Sequence, residues 1–319
     1  MRKRSPKPEP RSPTPRPPGL DARVREQFEA SWGDARAWIA SGKISVDGEI
    51  VTEPRAIVAK GAEIVRTMSA RRPRADRDLP DGTIVFVDAH VVVVAKPTGI
   101  STIPFKGAGD PGDESATLDE RVRALLSKME HGARGVRPSL GVVHRIDKET
   151  SGLVVFTRTW LAKKSLASQF RAHTVHRRYM AIAHGTVRSQ TFRSHLIEDR
   201  GDGRRGSVEA SKRRGNSEGQ LAITHVEALE PLDGATLVAC KLETGRTHQI
   251  RIHMSEAGHP IVGERVYTRG YNGSIVSAPR LMLHAAELGF VHPATGREVR
   301  WEQPLPPDFE AVLRRLRLR

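Results

Sequence analysis

The sequence is poor in cysteine and in long apolar runs, and each absence excludes a class of protein. Among 319 residues Cys240 is the only cysteine, so the chain can form no internal disulfide. A single thiol among apolar neighbours is typical of a small core residue in a reducing compartment. No apolar run reaches the roughly 18 residues of a membrane helix, and residues 1–19 lack a signal peptide's apolar segment. We therefore expect a soluble, cytoplasmic protein.

Acidic residues are outnumbered, with 37 Asp and Glu against 52 Lys and Arg, which leaves a formal net charge of +15. This excess favours a polyanionic partner, most often nucleic acid, although a basic surface that never meets nucleic acid is the alternative. The sequence contains no glycine-rich loop of the nucleotide-binding kinds. Composition thus indicates an RNA- or DNA-binding protein that does not use a phosphate-binding loop.

The histidines do not have the spacing of a metal site. His248 and His253 are five positions apart, which places them about 140° apart on a helix and on opposite faces of a strand. Neither geometry brings both rings to one ion, so we predict no metal site. We interpret four scattered histidines as hydrogen-bonded core or loop residues: His144, His259, His284 and His292.

Composition divides the chain into four regions. Residues 1–19 hold six basic residues, one acid and seven prolines, which predicts a disordered basic arm. Residues 20–70 form a predicted small folded unit, and residues 71–81, with four arginines and two prolines, a linker. Residues 82–319 carry many short strands joined by turns, with helices between them. This pattern predicts an α+β fold with a mixed, mainly antiparallel central sheet and flanking helices.

The small unit has a recognisable order of elements. Asp34 is predicted to cap a helix over residues 35–40, and residues 43–51 alternate around an Asp47-Gly48 turn, as a tight hairpin does. A further strand is predicted at residues 62–65. This order resembles the S4-like RNA-binding domain, a small α/β unit.

By that resemblance, the helix and the loop before the hairpin present basic groups to RNA. Arg36 and Lys43 are therefore candidate RNA contacts. The alternative is a small packing unit with no ligand.

Asp147 stands in the run GVVHRIDKETSGLVVFT, residues 141–157, between two predicted strands. Taken alone, it is either a loop cap or a reactive carboxylate. In the run LETGRTHQIRIH, residues 242–253, Thr247 is predicted to cap a helix. His248 and Arg251 share a face of this helix, and its first turn suits an anion. Tyr179 follows a basic cluster, and alone it is more typical of a core or edge-strand residue.

Several of these segments occur in the order seen in RluA-type pseudouridine synthases, and the resemblance spans nearly all of residues 82–303. The segments are residues 95–99, 144–152, 178–179, 244–253, 258–263 and 283–285. An S4-like domain in front is how the large-subunit ribosomal RNA members are built. The chain departs from the pattern at Ile146, where leucine is usual, a volume-conserving change. It departs again at residues 193–220, a predicted long loop that affects substrate choice more than reaction type.

The resemblance implies the isomerisation of uridine to pseudouridine in RNA, with no metal or small-molecule cofactor. Large-subunit ribosomal RNA is the favoured substrate. Transfer RNA is one alternative, and a non-catalytic RNA-binding or chaperone protein on the same fold is another. The oligomeric state is left open, with a monomer as the default.

The resemblance also assigns roles to residues. Asp147 would be the reactive carboxylate, Arg251 its ion-pair partner, and Tyr179 the residue that stacks on the uracil. Arg145 would take the place of the flipped base. Other basic residues are candidates for contacts with the RNA backbone, and the alternative for each is a solvated surface charge: Lys96, Arg246, His248 and the run at residues 212–214. Whether Asp147 attacks the sugar, attacks the base or removes a sugar proton is left open.

Overall fold

The computed structural model describes residues 19–317, apart from residues 53, 55, 57, 60, 71–78, 105–115, 130–138, 202–203, 211–218 and 269. The predicted basic arm up to residue 18, most of the predicted linker and the run at residues 212–214 therefore lie outside the described residues. The described chain forms two compact units, one of residues 19–70 and one that begins at Leu79.

The first unit contains two helices and a three-stranded antiparallel sheet with β1 in the middle. Its elements are α1 (Leu20–Gln27), α2 (Trp32–Ala40), β1 (Ile44–Val46), β2 (Glu49–Ile50) and β3 (Ile64–Arg66). The predicted hairpin and late strand are confirmed. Helix α2 begins earlier than predicted, because the hydroxyl of Ser31 accepts the backbone N–H of Asp34 at 3.0 Å and caps the helix. Asp34 lies in the first turn instead.

Apolar residues from both helices and from the sheet form the core of this unit. Leu20 and Val24 lie one turn apart on α1, and Ile39, Ile44 and Ile64 meet them from the other elements. The unit thus has a hydrophobic core of its own.

The second unit contains one eleven-stranded sheet and, among the described residues, helices α3 to α6. Its strands are β4 (Ile84–Val87), β5 (Val91–Lys96), β6 (Gly141–Val142), β7 (Ser151–Thr157), β8 (His176–His184), β9 (Gln190–Ile197), β10 (Gly206–Ser207), β11 (Gln220–Leu232), β12 (Ala235–Leu242), β13 (Leu283–Val291) and β14 (Glu298–Glu302). Its helices are α3 (Leu118–Met129), α4 (Trp160–Arg171), α5 (Gln249–Glu256) and α6 (Pro307–Arg317). In the described part of the chain, every helix is too short or too polar to cross a bilayer.

The strand order is β10-β9-β11-β12-β8-β13-β7-β5-β4, with β14 beside β13 and β6 beside β7. Neighbouring strands pair antiparallel except β13 and β7, which are parallel at His284 and Ala285. The predicted mixed, mainly antiparallel sheet is confirmed. The predicted long loop at residues 193–220 is wrong in part, because residues 193–197 belong to β9, residues 206–207 form β10 and Gln220 begins β11.

Strands β5 and β7 are buried on both faces, which explains why their sequences are continuous apolar runs. Helix α3 packs on one face and α4 on the other. The face toward α3 carries Val92, Val94, Val154 and Phe156. The face toward α4 carries Val91, Val93, Leu153 and Val155. This buried pair of strands is the base from which the loop between β6 and β7 extends.

Candidate active site

A cavity of about 590 Å³ lies beside the loop of residues 143–150, between β6 and β7. Strand β8 and the start of α5 form other parts of its wall. Six of the predicted site residues line it: Asp147, Tyr179, Arg251, Arg145, Arg246 and His248. The structure thus brings together three segments that are more than 30 residues apart in the sequence.

The backbone of the Asp147 loop returns sharply into the sheet. The Thr150 N–H donates to the Asp147 carbonyl at 3.1 Å and closes a turn. Gly152 follows with φ of 113°, and a Cβ there would collide with the backbone of Ala285 on the parallel strand β13. Only glycine permits both this conformation and this close approach. Asp147 is therefore fixed within a few residues of a central strand.

Lys96 supports the loop from beneath, and its side chain is buried. It is 1% exposed, and its ammonium donates to the carbonyls of Pro97, Ile100 and Lys148 at 3.0, 2.8 and 2.9 Å. Burial lowers its pKa to about 7. The prediction that Lys96 contacts the RNA backbone is wrong, because its side chain is buried and its donors are used inside the protein. The hydroxyl of Thr102 adds a bond to the Ile146 carbonyl at 2.8 Å.

Arg251 faces Asp147 from the first turn of α5. Its Nη1 lies 3.5 Å from Asp147 Oδ2, an ion pair longer than a good hydrogen bond. The side chain of Arg251 is 6% exposed and that of Asp147 is 21% exposed. The carboxylate is thus open to the cavity, while the cation behind it is buried.

Glu264 fixes Arg251 and was not predicted from the sequence. Arg251 donates from Nε and Nη2 to the two carboxylate oxygens at 2.6 and 2.8 Å. Burial alone would favour the neutral forms, but these hydrogen bonds and charges outweigh it, so the pKa of Arg251 is raised and that of Glu264 lowered. A signal was present, because a buried arginine needs an acid and Glu264 directly follows the matched segment at residues 258–263.

His248 lies between Asp147 and a second residue that was not predicted, Tyr267. Its Nε2 is 3.9 Å from Asp147 Oδ1, and its Nδ1 is 2.7 Å from the Tyr267 hydroxyl. Burial lowers the pKa of His248, which favours the neutral imidazole. The prediction that Thr247 caps α5 is wrong. His248 takes the cap position with φ of 58°, while the Thr247 hydroxyl accepts a bond from Arg145.

Tyr179 lies within β8 and is 7% exposed. Burial raises the pKa of its phenol, so the hydroxyl keeps its proton at neutral pH. This side chain gives the cavity a flat apolar wall with one polar atom, as a stacked base requires.

Arg145 and Arg246 lie at the edge of the cavity. The exposed Arg145 side chain donates from Nη2 to the Thr247 hydroxyl at 2.7 Å, which links the Asp147 loop to the start of α5. Arg246 donates from Nε to the Leu221 carbonyl at 3.0 Å. Arg145 is thus held by one exposed hydrogen bond and can leave it at low cost.

Arg36 and Lys43 belong to the first unit and are not among the cavity residues. Arg36 donates from Nε to Asp21 at 3.0 Å and is half exposed, with its guanidinium over the ring of Trp32. Lys43 is partly buried, and its ammonium donates to the carbonyl of Ala70. Their contact with RNA stays a prediction.

The cavity thus offers one partly exposed carboxylate backed by a buried ion pair, a protonated phenol and an arginine-rich edge. This set suits chemistry on a neutral base that belongs to a polyanion. The family description "RNA pseudouridylate synthase" matches residues 90–256, just over half of the chain. The chain belongs to this family, and the family predicted from the sequence is confirmed.

Named relatives are similar over nearly the whole chain. Ribosomal large subunit pseudouridine synthase D of Pseudomonas aeruginosa is 37% identical over 311 residues, 93% of this chain and 92% of that protein. The uncharacterised RNA pseudouridine synthase YlyB of Bacillus subtilis is 35% identical over 91% of each chain. The solved structure of human RNA pseudouridylate synthase domain containing 4 has a TM-score of 0.57 at 24% identity, covering 73% of this chain and 92% of that one. That structure supports the fold alone.

Proposed function

We propose that this enzyme isomerises specific uridines of large-subunit ribosomal RNA to pseudouridine, with Asp147 as the reactive carboxylate. The observation that carries the proposal is the open Asp147 carboxylate 3.5 Å from a buried arginine, in the cavity that Tyr179 also lines. The ribosomal substrate is supported by relatives that are named for it and are 35–37% identical over 87–93% of this chain.

The target uridine has to leave its stack before the cavity can reach its glycosidic bond. Unstacking costs a few kcal/mol, which basic contacts to the RNA backbone offset. Arg145 is exposed and lies next to the reactive loop, so its planar guanidinium is suited to fill the gap that the base leaves. Arg246 at the same edge is placed to contact the backbone.

Asp147 has to be ionised for any of its three candidate roles, namely attack on C1′, attack on the base or removal of a sugar proton. Arg251 stabilises this negative charge electrostatically. Arg251 is bound bidentately to Glu264 at 2.6 and 2.8 Å, and its contact with the Asp147 carboxylate is longer, at 3.5 Å. The carboxylate is therefore stabilised without being locked into a tight pair.

The isomerisation breaks the bond between N1 and C1′ and forms one between C5 and C1′. The uracil turns within the cavity, C5 loses a proton and N1 gains one, so no cofactor has to supply or remove atoms. Tyr179 is the candidate that stacks on the ring while it turns. Its neutral phenol also makes it a candidate for moving the C5 proton.

The first unit is proposed to bind RNA as an S4-like domain, and the protein to act as a monomer in the cytoplasm. The helix-hairpin order of this unit and the half-exposed Arg36 support the RNA contact. Deletion of residues 1–70 should weaken RNA binding and flatten its salt dependence, because phosphate contacts are lost. Unchanged affinity at moderate salt, with the remaining protein still folded by circular dichroism, would contradict this role.

The function is tested by incubating the purified protein with unmodified large-subunit ribosomal RNA and, separately, with transfer RNA. Pseudouridine is then mapped by a chemical adduct that stops reverse transcription. We expect product at one or a few uridines of the ribosomal RNA. Product in transfer RNA alone would overturn the substrate and keep the reaction, while binding without product in either RNA would favour the non-catalytic alternative.

A further inference from the structure

Arg177 is a buried cation in the cavity wall, and no carboxylate among the residues that the structure describes balances its charge. It is 7% exposed and lines the same cavity as Asp147. Within the described part of the chain, its recorded hydrogen bond runs from Nη2 to the Glu243 carbonyl at 2.9 Å, and its Nε has no partner. No carboxylate among the described residues lies within 4.0 Å of it. Burial lowers its pKa, as expected for an uncompensated cation.

Two other arginines near the site, Arg251 and Arg178, are paired with carboxylates. Arg251 is buried to the same degree, but it is paired bidentately with Glu264. Arg178, the next residue on β8, lies on the opposite face of the strand and pairs with Glu287 at 3.0 Å. A buried charge left unpaired is expensive, so Arg177 is in the state expected of a group whose partner arrives with a ligand.

The surroundings of Arg177 keep its guanidinium in place. Phe170 lies with its ring centroid 5.6 Å from the guanidinium carbon, a cation–π contact. A Cβ on Gly245 would come within 2.7 Å of Nη1, so the backbone packs closely on the other side. The guanidinium thus contacts Phe170, lies close to the Gly245 backbone and donates to the Glu243 carbonyl.

The charge of the cavity indicates an anion as the ligand. Asp147 is the sole carboxylate among the lining residues that the structure describes, and it already faces Arg251. The exposed side chains of Arg171 and His173 also line the cavity and would draw an anion toward Arg177. A uracil carbonyl is neutral and would leave the buried charge uncompensated. A phosphate supplies a full negative charge and accepts several N–H donors.

The spacing on β8 fits a nucleotide. Arg177 and Tyr179 are two positions apart, so their side chains leave the same face of the strand about 7 Å apart along it. A base against Tyr179 and a phosphate at Arg177 can therefore belong to the same stretch of RNA.

We infer that Arg177 is a phosphate-binding residue that holds a backbone phosphate flanking the target uridine while its base occupies the cavity. The inference rests on the proposed function for the identity of the RNA. It makes Arg177 a positioning residue for the reaction, one that contacts the substrate backbone and not the reacting atoms.

The test measures equilibrium binding of the ribosomal RNA fragment that the purified protein modifies. Single linkages on either side of the target uridine are replaced, one at a time, by a neutral methylphosphonate. For the wild-type protein we expect one of these to weaken binding about tenfold, the loss of a charge-assisted hydrogen bond. Arg177→Met should weaken binding of the unmodified RNA by a similar factor, and it should reduce the dependence of affinity on salt by about one phosphate contact. If Arg177 binds that phosphate, the methylphosphonate at the same linkage should weaken binding to Arg177→Met by less than about a further twofold, as a double-mutant cycle requires.

Arg178→Met is the matched control, because it removes a neighbouring arginine that faces away from the cavity. It should keep the full methylphosphonate effect and the wild-type salt slope. Thermal unfolding checks each variant, and if Arg177→Met does not fold, the uncharged Arg177→Gln takes its place with the same expected results. The inference is overturned if no flanking methylphosphonate weakens wild-type binding, or if wild type and the Arg177 variant lose affinity equally. Turnover of the same RNA by the wild-type protein tests the proposed function separately, because binding needs no chemistry.

Discussion

Two groups of buried residues lie next to the Asp147 loop, and their pKa values shift in opposite senses, toward the charged form in one group and toward the neutral form in the other. On the cavity side, pairing between Arg251 and Glu264 outweighs burial, so the pKa of each is shifted toward its charged form. Beneath the loop, burial dominates and lowers the pKa of Lys96 to about 7 and that of His284 to about 4. The difference teaches that the Arg251–Glu264 pair keeps a full positive charge facing Asp147. The opposite side holds the backbone through hydrogen bonds to carbonyls and to the Ser151 hydroxyl.

Removal of the reactive charge should have the largest effect. Asp147→Asn should lower the single-turnover rate of pseudouridine formation by about 10⁴-fold or more, because a group that carries the chemistry is lost. RNA affinity should stay within a few-fold, since the change removes only a negative charge from a cavity that binds an anion. Near-normal turnover in this variant would contradict the assignment.

Loss of the Arg251–Glu264 ion pair should have the second largest effect. Glu264→Gln leaves Arg251 buried without its anion, so the free energy of unfolding should fall by about 3 kcal/mol. The rate should fall by about 10²- to 10³-fold, because Arg251 would be free to form a tight pair with Asp147 or to turn away from it. Rate by single turnover and stability by urea unfolding measure the two effects.

Asp308→Asn provides the matched control for Glu264→Gln, since it breaks another bidentate arginine pair, with Arg280, far from Asp147 in sequence and outside the cavity. It should cost stability and leave the rate near the wild-type value. If the two variants lost rate equally, the effect of Glu264 would be general destabilisation and not support of Arg251.

Loss of the Lys96 hydrogen bonds beneath the loop should lower the rate less than loss of the charged groups Asp147 and Glu264. Lys96→Met removes three hydrogen bonds to carbonyls, including that of Lys148 in the Asp147 loop, so the carboxylate should shift slightly. A displacement of about 1 Å can lower a rate by up to about a hundredfold. We expect a lower kcat at saturating RNA with the binding constant unchanged. An equal loss of RNA affinity would instead restore Lys96 as an RNA contact.

The last effect concerns the pH dependence of stability and not the reaction rate. Burial lowers the pKa of His144 to about 3 and those of His253 and His284 to about 4. The unfolded chain binds protons at these residues below about pH 6.5, while the folded chain does not until about pH 4. The free energy of unfolding should therefore fall as the pH drops from 6.5 to 4. Urea unfolding of His284→Gln should show a shallower fall, and an identical pH dependence would rule out a contribution from His284.

Much of the fold was predictable because local signals agreed with the tertiary structure. The Asp47-Gly48 hairpin and the apolar runs of β5 and β7 are correct, since turn residues and burial on both faces leave clear patterns. The caps of α2 and α5 were misplaced. At α2 a second capping residue, Ser31, precedes Asp34 by three positions, and at α5 the Thr247 hydroxyl is bound by Arg145, a contact that sequence does not show.

The site was predictable in its central residues and not in their partners. Asp147, Tyr179 and Arg251 lie in recognisable motifs, and all three line one cavity. Glu264 was missed because it lies 13 residues after Arg251 in the sequence, and the two side chains meet only when the chain folds back. Lys96 was misassigned because an isolated lysine in a sequence is normally exposed, and its burial follows only from the packing of the loop above it.

The central claim is that Asp147 carries out uridine isomerisation in ribosomal RNA. It is tested most directly by mapping pseudouridine in total RNA from a strain that lacks the gene, complemented either with wild-type protein or with Asp147→Asn. We predict that one or a few large-subunit sites lose pseudouridine in the deletion strain and regain it with the wild-type protein alone. Restoration by Asp147→Asn, or an unchanged ribosomal RNA map in the deletion strain, would contradict the claim.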